Sequence, residues 1–132
     1  MTALVIPDFP HCGLIRFFGN DAQAFLHSQL SCDVAALAPT QSTYGAYCTP
    51  KGRVLASFLL WRSDEGLFMQ LPVALRQPVQ EQLSRFVLRS RVKVEDASGT
   101  RACFGIVGNT AADLVHQLLA VAPKASHDVV HA

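Results

Sequence analysis

The sequence is poor in charge and contains no internal repeat, low-complexity tract or linker. Only 16% of its 132 residues are charged, 50% are apolar, and the formal net charge is +1 at pH 7. This balance is typical of a folded globular chain and predicts no bulk attraction to nucleic acid or to an anionic membrane. The longest apolar stretches, such as VLASFLLW at 54–61, are far too short to span a bilayer. We expect a single domain over 1–132.

The N-terminal segment lacks the basic start and the long apolar region of a signal peptide. A cytoplasmic location is therefore the expectation.

Metal-binding and disulfide patterns are also missing. The four cysteines are far apart, none forms a CxxC pair, and the five histidines are scattered. His127 and His131 are four residues apart but lie in a tail after Pro123, so no metal site is expected. Each cysteine is interpreted as a small buried apolar residue.

Nucleotide-binding glycine motifs and paired carboxylates are absent as well. There is no GxGxxG after a strand and no GxxxxGK[ST], and acidic residues are sparse. General acid–base catalysis therefore has few candidates.

The pattern of apolar residues predicts alternating runs of strands and single helices. The helix at 20–37 has Asn20 or Asp21 as its cap and one apolar face, and Pro78 suits the first turn of the helix at 79–90. Strands are predicted at 13–19, 43–49, 53–62, 67–72, 91–96 and 101–108, and helices at 20–37, 79–90 and 110–122. This order favours an α+β fold with a mostly antiparallel sheet and helices packed on it. The strand at 53–62 is expected to be central and covered on both faces.

The segment YCTPKGRVL at 47–55 has two interpretations. Pro50 fixes φ and Gly52 supplies a positive φ, so the segment is favoured as a hairpin turn. Cys48 could instead be a nucleophile, but no histidine lies near it in sequence, and Lys51 would point to water.

The stretch RFVLRSRVK contains Arg85, Arg89, Arg91 and Lys93. It is interpreted as a solvated face, with an anion-binding patch as the alternative. Val79, Leu83, Phe86 and Val87 are expected to point inward from the preceding helix.

Three blocks, in order, resemble the folate-dependent glycine-cleavage T-protein superfamily, and in particular its YgfZ branch. They are LIRFFGNDAQAFLHSQLSCDVAALAP, YCTPKGRVLASFLLWR and LSRFVLRSRVKVED. The resemblance covers 13 to about 121, less than half of a typical member, so the chain is expected to correspond to the N-terminal part of that fold. It implies tetrahydrofolate as cofactor and a role in iron–sulfur cluster assembly or repair, with a link to tRNA modification.

Two departures limit what the resemblance implies. The T-protein carries an aspartate pair after the hairpin glycine, where this chain has Ala56 and Ser57. Neither can act as a carboxylate, so aminomethyl transfer is not expected. The cysteine signature of the YgfZ branch, KGCYxGQE, is absent, and Cys32 replaces a usual asparagine without a functional account.

The resemblance places the folate-binding residues at the hairpin and just after it. They are Tyr47, Cys48, Lys51, Gly52, Arg53, Ser57 and Phe58, and none is expected to be catalytic. Folate binding by this segment alone is expected to be weak or absent. Iron–sulfur client proteins and self-association are the other expected partners, and tRNA is not expected to bind. The alternatives are an aminomethyltransferase or a non-enzymatic protein-interaction module.

Overall fold

The computed structural model describes residues 4–6 and 11–132, and antiparallel strands dominate it. A five-stranded sheet has the order β3-β4-β5-β2-β6, and a separate two-stranded sheet pairs β1 with β7. Every neighbouring pair is antiparallel, which confirms the α+β prediction. The elements are β1 Leu4–Ile6, β2 Cys12–Phe18, α1 Ala22–Gln29, β3 Ser42–Cys48, β4 Val54–Ser63, β5 Gly66–Pro72, α2 Val73–Arg85, β6 Lys93–Asp96, β7 Gly105–Val107 and α3 Ala111–Leu119.

The core lies on one side of the five-stranded sheet, where α1 and α2 pack. Along β2 the burial alternates strictly, with Ile15 and Phe17 fully buried between partly exposed neighbours. Such alternation is expected of a sheet that is covered on one face only. Phe25 and Leu26 of α1 and Leu83 of α2 join the same cluster.

The prediction that the strand at 53–62 is covered on both faces is wrong. In β4, Ala56, Phe58 and Leu60 are buried, whereas Val54 and Leu55 are exposed. Both helices that contribute to the core lie on one side, so the alternate residues of β4 face the opposite side. We call that side of the sheet the open face.

The first helix ends eight residues earlier than predicted. Leu30 is already extended, and the Ser31 amide donates a 3.0 Å hydrogen bond to the Ala46 carbonyl. The Ala46 amide in turn donates to the Ser31 hydroxyl at 2.8 Å. These bonds to β3 end the helix, although Val34 and Leu37 still reach the core as predicted.

The second helix begins and ends earlier than predicted. It starts at Val73, so Pro78 lies inside it rather than in its first turn. It ends at Arg85, after which Leu88 takes a left-handed conformation with φ of 47°. Phe86 is therefore 47% exposed and does not point inward, whereas Val79 and Leu83 are buried as predicted.

The C-terminal part of the described chain contains β7, which belongs to the separate two-stranded sheet, and α3. The last predicted strand shortens to β7, and α3 begins after Thr110 as predicted, yet none of its residues is buried. Residues 128–129 are tied to the segment before β3, where the Val129 amide donates to the Thr40 carbonyl at 2.8 Å. Among the described helices, none combines the length and apolar character needed to cross a membrane.

Candidate functional site

The hairpin between β3 and β4 is a tight turn held by backbone hydrogen bonds. The Thr49 amide donates to the Arg53 carbonyl, and the Gly52 amide donates to the Thr49 carbonyl, both at 2.8 Å. Gly52 has φ of 81°, a conformation that residues with a side chain rarely adopt. The turn interpretation is confirmed, and Lys51 and Arg53 are exposed at its tip beside a shallow cavity of about 480 Å³.

A bulge follows the turn and sets which residues face which side. Cys48 pairs with Val54 and Tyr47 pairs with Ala56, so Leu55 has no partner across β3. The extra residue restores the alternation in which Ala56 enters the core and Ser57 points to the open face. The two positions where the T-protein carries its aspartate pair therefore face opposite sides of the sheet.

The predicted folate-binding residues divide between the two sides. The side chains of Tyr47 and Phe58 are 5% and 4% exposed and belong to the core cluster. Burial raises the pKa of the Tyr47 phenol, since its charged form would lose hydration. These side chains pack the sheet against the helices, whereas Lys51, Gly52, Arg53 and Ser57 are exposed.

Cys48 is only partly buried at the end of β3. No histidine is among its sequence neighbours. The hydrogen bonds of the turn are made by Thr49, Gly52 and Arg53. That Cys48 is not catalytic stays a prediction.

Close packing surrounds Gly45, the middle residue of β3. A β-carbon built on Gly45 would lie 2.7 Å from the Cys32 sulfur and 2.7 Å from the Phe58 ring. Burial is the main reason that the pKa of the Cys32 thiol is raised, and the nearby Asp33 carboxylate adds to it. Cys32 therefore stays protonated at neutral pH and acts as packing between α1 and β3.

The open face carries aromatic residues that the sequence analysis did not select. Trp61 stacks on Phe68 with ring centroids 5.8 Å apart, and the Arg101 guanidinium lies 4.6 Å above the Phe68 ring. Trp61 is four residues from Ser57 on the same strand face, so the period of two along β4 could have identified it.

A cavity of about 840 Å³ lies at the Trp61 end of the sheet. Its lining includes Trp61, Glu65, Phe68, Arg101 and His131. Arg101 forms an ion pair with Glu65, and the His131 ring nitrogen lies 3.1 Å from the Pro39 carbonyl oxygen. The strand rise puts this cavity roughly 13 Å from Ser57. The open face thus presents a hydroxyl at Ser57 and an aromatic cavity at the Trp61 end of β4, and the exposed cations Lys51 and Arg53 lie at the tip of the hairpin that precedes Ser57.

Metal ligands do not assemble among the described residues. No group of three or more histidine, cysteine, aspartate or glutamate side chains in 4–6 and 11–132 could hold an ion. His127 instead packs edge-on against Tyr44, with ring centroids 4.7 Å apart. The four cysteines are free thiols. Cys103 is exposed and the other three are partly buried, so the expectation that each is buried is wrong.

A family model described as the GCVT N-terminal domain matches residues 1–129. The curated tRNA-modifying protein YgfZ of Hamiltonella defensa is 29% identical over 130 residues, which is 98% of this chain and 38% of that protein. The tRNA-modifying protein YgfZ of Photobacterium profundum is 32% identical over 118 residues, covering 89% of this chain and 35% of its own length. The chain thus spans little more than a third of these relatives.

A solved structure shows the same fold. The glycine cleavage system aminomethyltransferase T from Bartonella henselae superposes with a TM-score of 0.76 and 25% sequence identity. The match covers 87% of this chain and 31% of that one. These similarities confirm the resemblance that the three sequence blocks indicate.

Proposed function

Since the chain belongs to the family of the GCVT N-terminal domain, we propose that it supplies part of a tetrahydrofolate-binding accessory protein of the YgfZ type. The protein acts in the cytoplasm in iron–sulfur cluster assembly or repair, with a link to tRNA modification. The relatives named tRNA-modifying proteins support that link. The chain matches little more than a third of them, and the match to the GCVT N-terminal domain supports the proposal that 1–132 corresponds to their N-terminal part.

The observation that carries the proposal is the chemistry of the open face at Ser57. This position faces away from the core, on the strand that follows the exposed cations Lys51 and Arg53. Two cations suit the carboxylates of a folate glutamate tail, since charge-assisted hydrogen bonds to carboxylates are stronger than neutral ones. The hydroxyl of Ser57 leaves this position without a carboxylate that could take a proton.

Calorimetry on a full-length chimera tests folate binding. Residues 1–132 would replace the matching N-terminal segment of the Photobacterium profundum relative, and tetrahydrofolate would be the titrant. We expect the chimera to bind folate, and Lys51→Ala/Arg53→Ala to weaken binding about tenfold or more through loss of two charge-assisted contacts.

The matched control is Lys124→Ala, which removes an exposed cation far along the chain and should leave the affinity unchanged. Binding by the parent relative and none by the chimera would count against the proposal.

Aminomethyl transfer is the first alternative, and Ser57 argues against it. A hydroxyl cannot hold a charged amine or accept a proton as a carboxylate can. In an assay with the other glycine-cleavage proteins, the chimera is expected to show only background transfer.

A protein-interaction module is the second alternative, favoured by apolar side chains exposed near the end of the described chain. Leu118 and Leu119 of α3 are 69% and 54% exposed. Exposed apolar residues grouped on one element are typical of contact surfaces. Partners that stay bound in a pull-down after folate depletion would support this function over folate binding.

A further inference from the structure

The turn between α2 and β6 combines exposed apolar and basic side chains. Phe86 is 47% exposed and Leu88 is 85% exposed, although both follow a helix that buries Val79 and Leu83. The left-handed conformation of Leu88 holds this side chain outward. A non-glycine residue rarely adopts that conformation without a local reason. The outward placement of Phe86 is the feature that the helical pattern did not predict.

Four exposed cations flank these two side chains. None of the ion pairs formed within 4–6 and 11–132 involves any of them. They are Arg85, Arg89, Arg91 and Lys93. We call Arg85–Lys93 the basic turn. It gives this part of the surface a positive charge that the whole-chain net charge of +1 conceals.

One acidic group beside this turn is already engaged with its backbone. The Asp21 carboxylate accepts a 2.8 Å hydrogen bond from the Arg91 amide, and the Asp21 amide donates to the Arg91 carbonyl at 3.2 Å. Asp21, Phe86, Leu88 and Arg89 line an open cavity of about 640 Å³. The bonds to Asp21 fix the backbone of the turn, and Arg85, Arg89 and Arg91 remain exposed.

An exposed aromatic ring among unpaired cations suits an unpaired region of RNA. Cations bind phosphates, and an aromatic side chain offers a surface on which a base stacks. A lipid surface would use the cations too, but two apolar side chains provide little area for insertion. We infer that the basic turn is an RNA-contact surface that binds single-stranded or loop regions of tRNA. This inference rests on the tRNA link in the proposed function and gives that link a location.

Salt dependence of tRNA binding tests the inference. Fluorescence anisotropy would measure the binding of the chain to labelled, unmodified bacterial tRNA at a series of KCl concentrations. Four phosphate contacts to single-stranded RNA predict a log–log slope of about −2.8, and Arg89→Ala/Arg91→Ala should reduce its magnitude by about 1.4. Lys124→Ala is the matched control and should leave the slope unchanged.

A second variant separates stacking from charge. Phe86→Ala should lower the affinity about fivefold or more without changing the slope, since stacking carries no counterion release. Phe86→Tyr should restore the affinity because it keeps the ring. Leu118→Ala, which shortens another exposed apolar side chain, should have no effect.

Three results would overturn the inference. The first is no tRNA binding at 50 mM KCl. The second is a salt-dependence slope in Arg89→Ala/Arg91→Ala equal to that of the unaltered chain. The third is binding to phosphatidylserine vesicles without binding to tRNA. Folate titration of the same variants keeps the two proposals distinct. Intact folate binding with no tRNA binding removes the RNA surface alone, and the reverse removes the folate role alone.

Discussion

Ala56 and Ser57 lie at the two positions where the T-protein carries aspartates, and the two side chains face opposite sides of β4. The two residues are adjacent in sequence, yet one faces the open side of the sheet and the other is buried in the core. A carboxylate at the buried position would be costly without a partner. Of these two positions, only that of Ser57 could therefore present a reactive group to a ligand on the open face, and its side chain is a hydroxyl.

At Gly45, we expect Gly45→Ala to destabilise the chain by about 1 to 3 kcal/mol, the usual range for overpacking. The added methyl would meet the Cys32 sulfur and the Phe58 ring, both in the packed region between the sheet and α1. Urea unfolding followed by circular dichroism measures the change. Gly99→Ala is the control, since open space surrounds that glycine, and equal stabilities of the two variants would contradict this packing.

At Asp96, the pKa of the carboxyl is lowered, mainly by the hydrogen bond that it accepts from the Ser98 amide at 2.9 Å. The Arg76 Nε atom lies 3.4 Å from Asp96 Oδ2, and its positive charge lowers this pKa further. A lowered pKa stabilises the folded state above the ordinary value of 3.8, and that stabilisation is lost as pH falls through the folded value.

Asp96→Asn should therefore lower stability at pH 7, and the difference from the unaltered chain should shrink as the pH falls below 3.8. Urea unfolding at both pH values checks this, with Asp64→Asn in an exposed turn as the control. The same loss of stability at pH 3 as at pH 7 would contradict the role of the Asp96 charge.

The elements that alternate strongly were predictable, and those shaped by distant hydrogen bonds were not. The strand around Ile15 and Phe17 follows from its period of two. The end of α1 depends on bonds between Ser31 and Ala46, which a local pattern does not contain. The three-residue strand β1 was missed because the strand with which it pairs, β7, lies about a hundred residues later.

The same limit applies to the candidate site. The hairpin was predictable because Pro50 and Gly52 mark a turn. The face of each following residue was predictable in principle, since Ser57 and Phe58 must point to opposite sides of a strand. The cavity beside Trp61 was not, because Arg101 joins it from a segment forty residues away.

In α2, we expect Pro78→Ala to raise the melting temperature. Pro78 lies inside the helix, where it has no amide proton to donate and its ring crowds the preceding turn. Alanine restores the amide proton and removes the crowding. At this exposed position the change should raise the free energy of unfolding by about 1 kcal/mol or more. Scanning calorimetry measures the shift. A lower melting temperature would show that the proline sets a bend needed for packing.

At the scale of the whole molecule, the β1–β7 sheet with α3 is the part with the least burial. A two-stranded sheet is marginal alone, and Leu4, Val107 and Leu118 are each more than half exposed. Edge strands of this kind pair readily with a second copy about a two-fold axis.

We therefore expect the isolated chain to dimerise through this unit. Light scattering after size exclusion should show a dimer at high concentration, and Leu118→Glu/Leu119→Glu should give a monomer. Leu88→Glu is the control, since Leu88 is exposed on the basic turn instead. A clean monomer of the unaltered chain at high concentration would contradict this expectation.

Folate binding on the open face is tested most directly by NMR titration of the labelled chain with tetrahydrofolate, a method that detects millimolar affinities. Because the chain supplies only part of the walls, we expect weak, saturable shifts of the amides from Lys51 to Ser57, with the amides of α1 and α2 unmoved. Arg53→Ala should weaken these shifts, and Lys124→Ala should not. Saturating tetrahydrofolate that leaves the 51–57 amides unmoved, or that moves only residues of the helical side, would contradict the account.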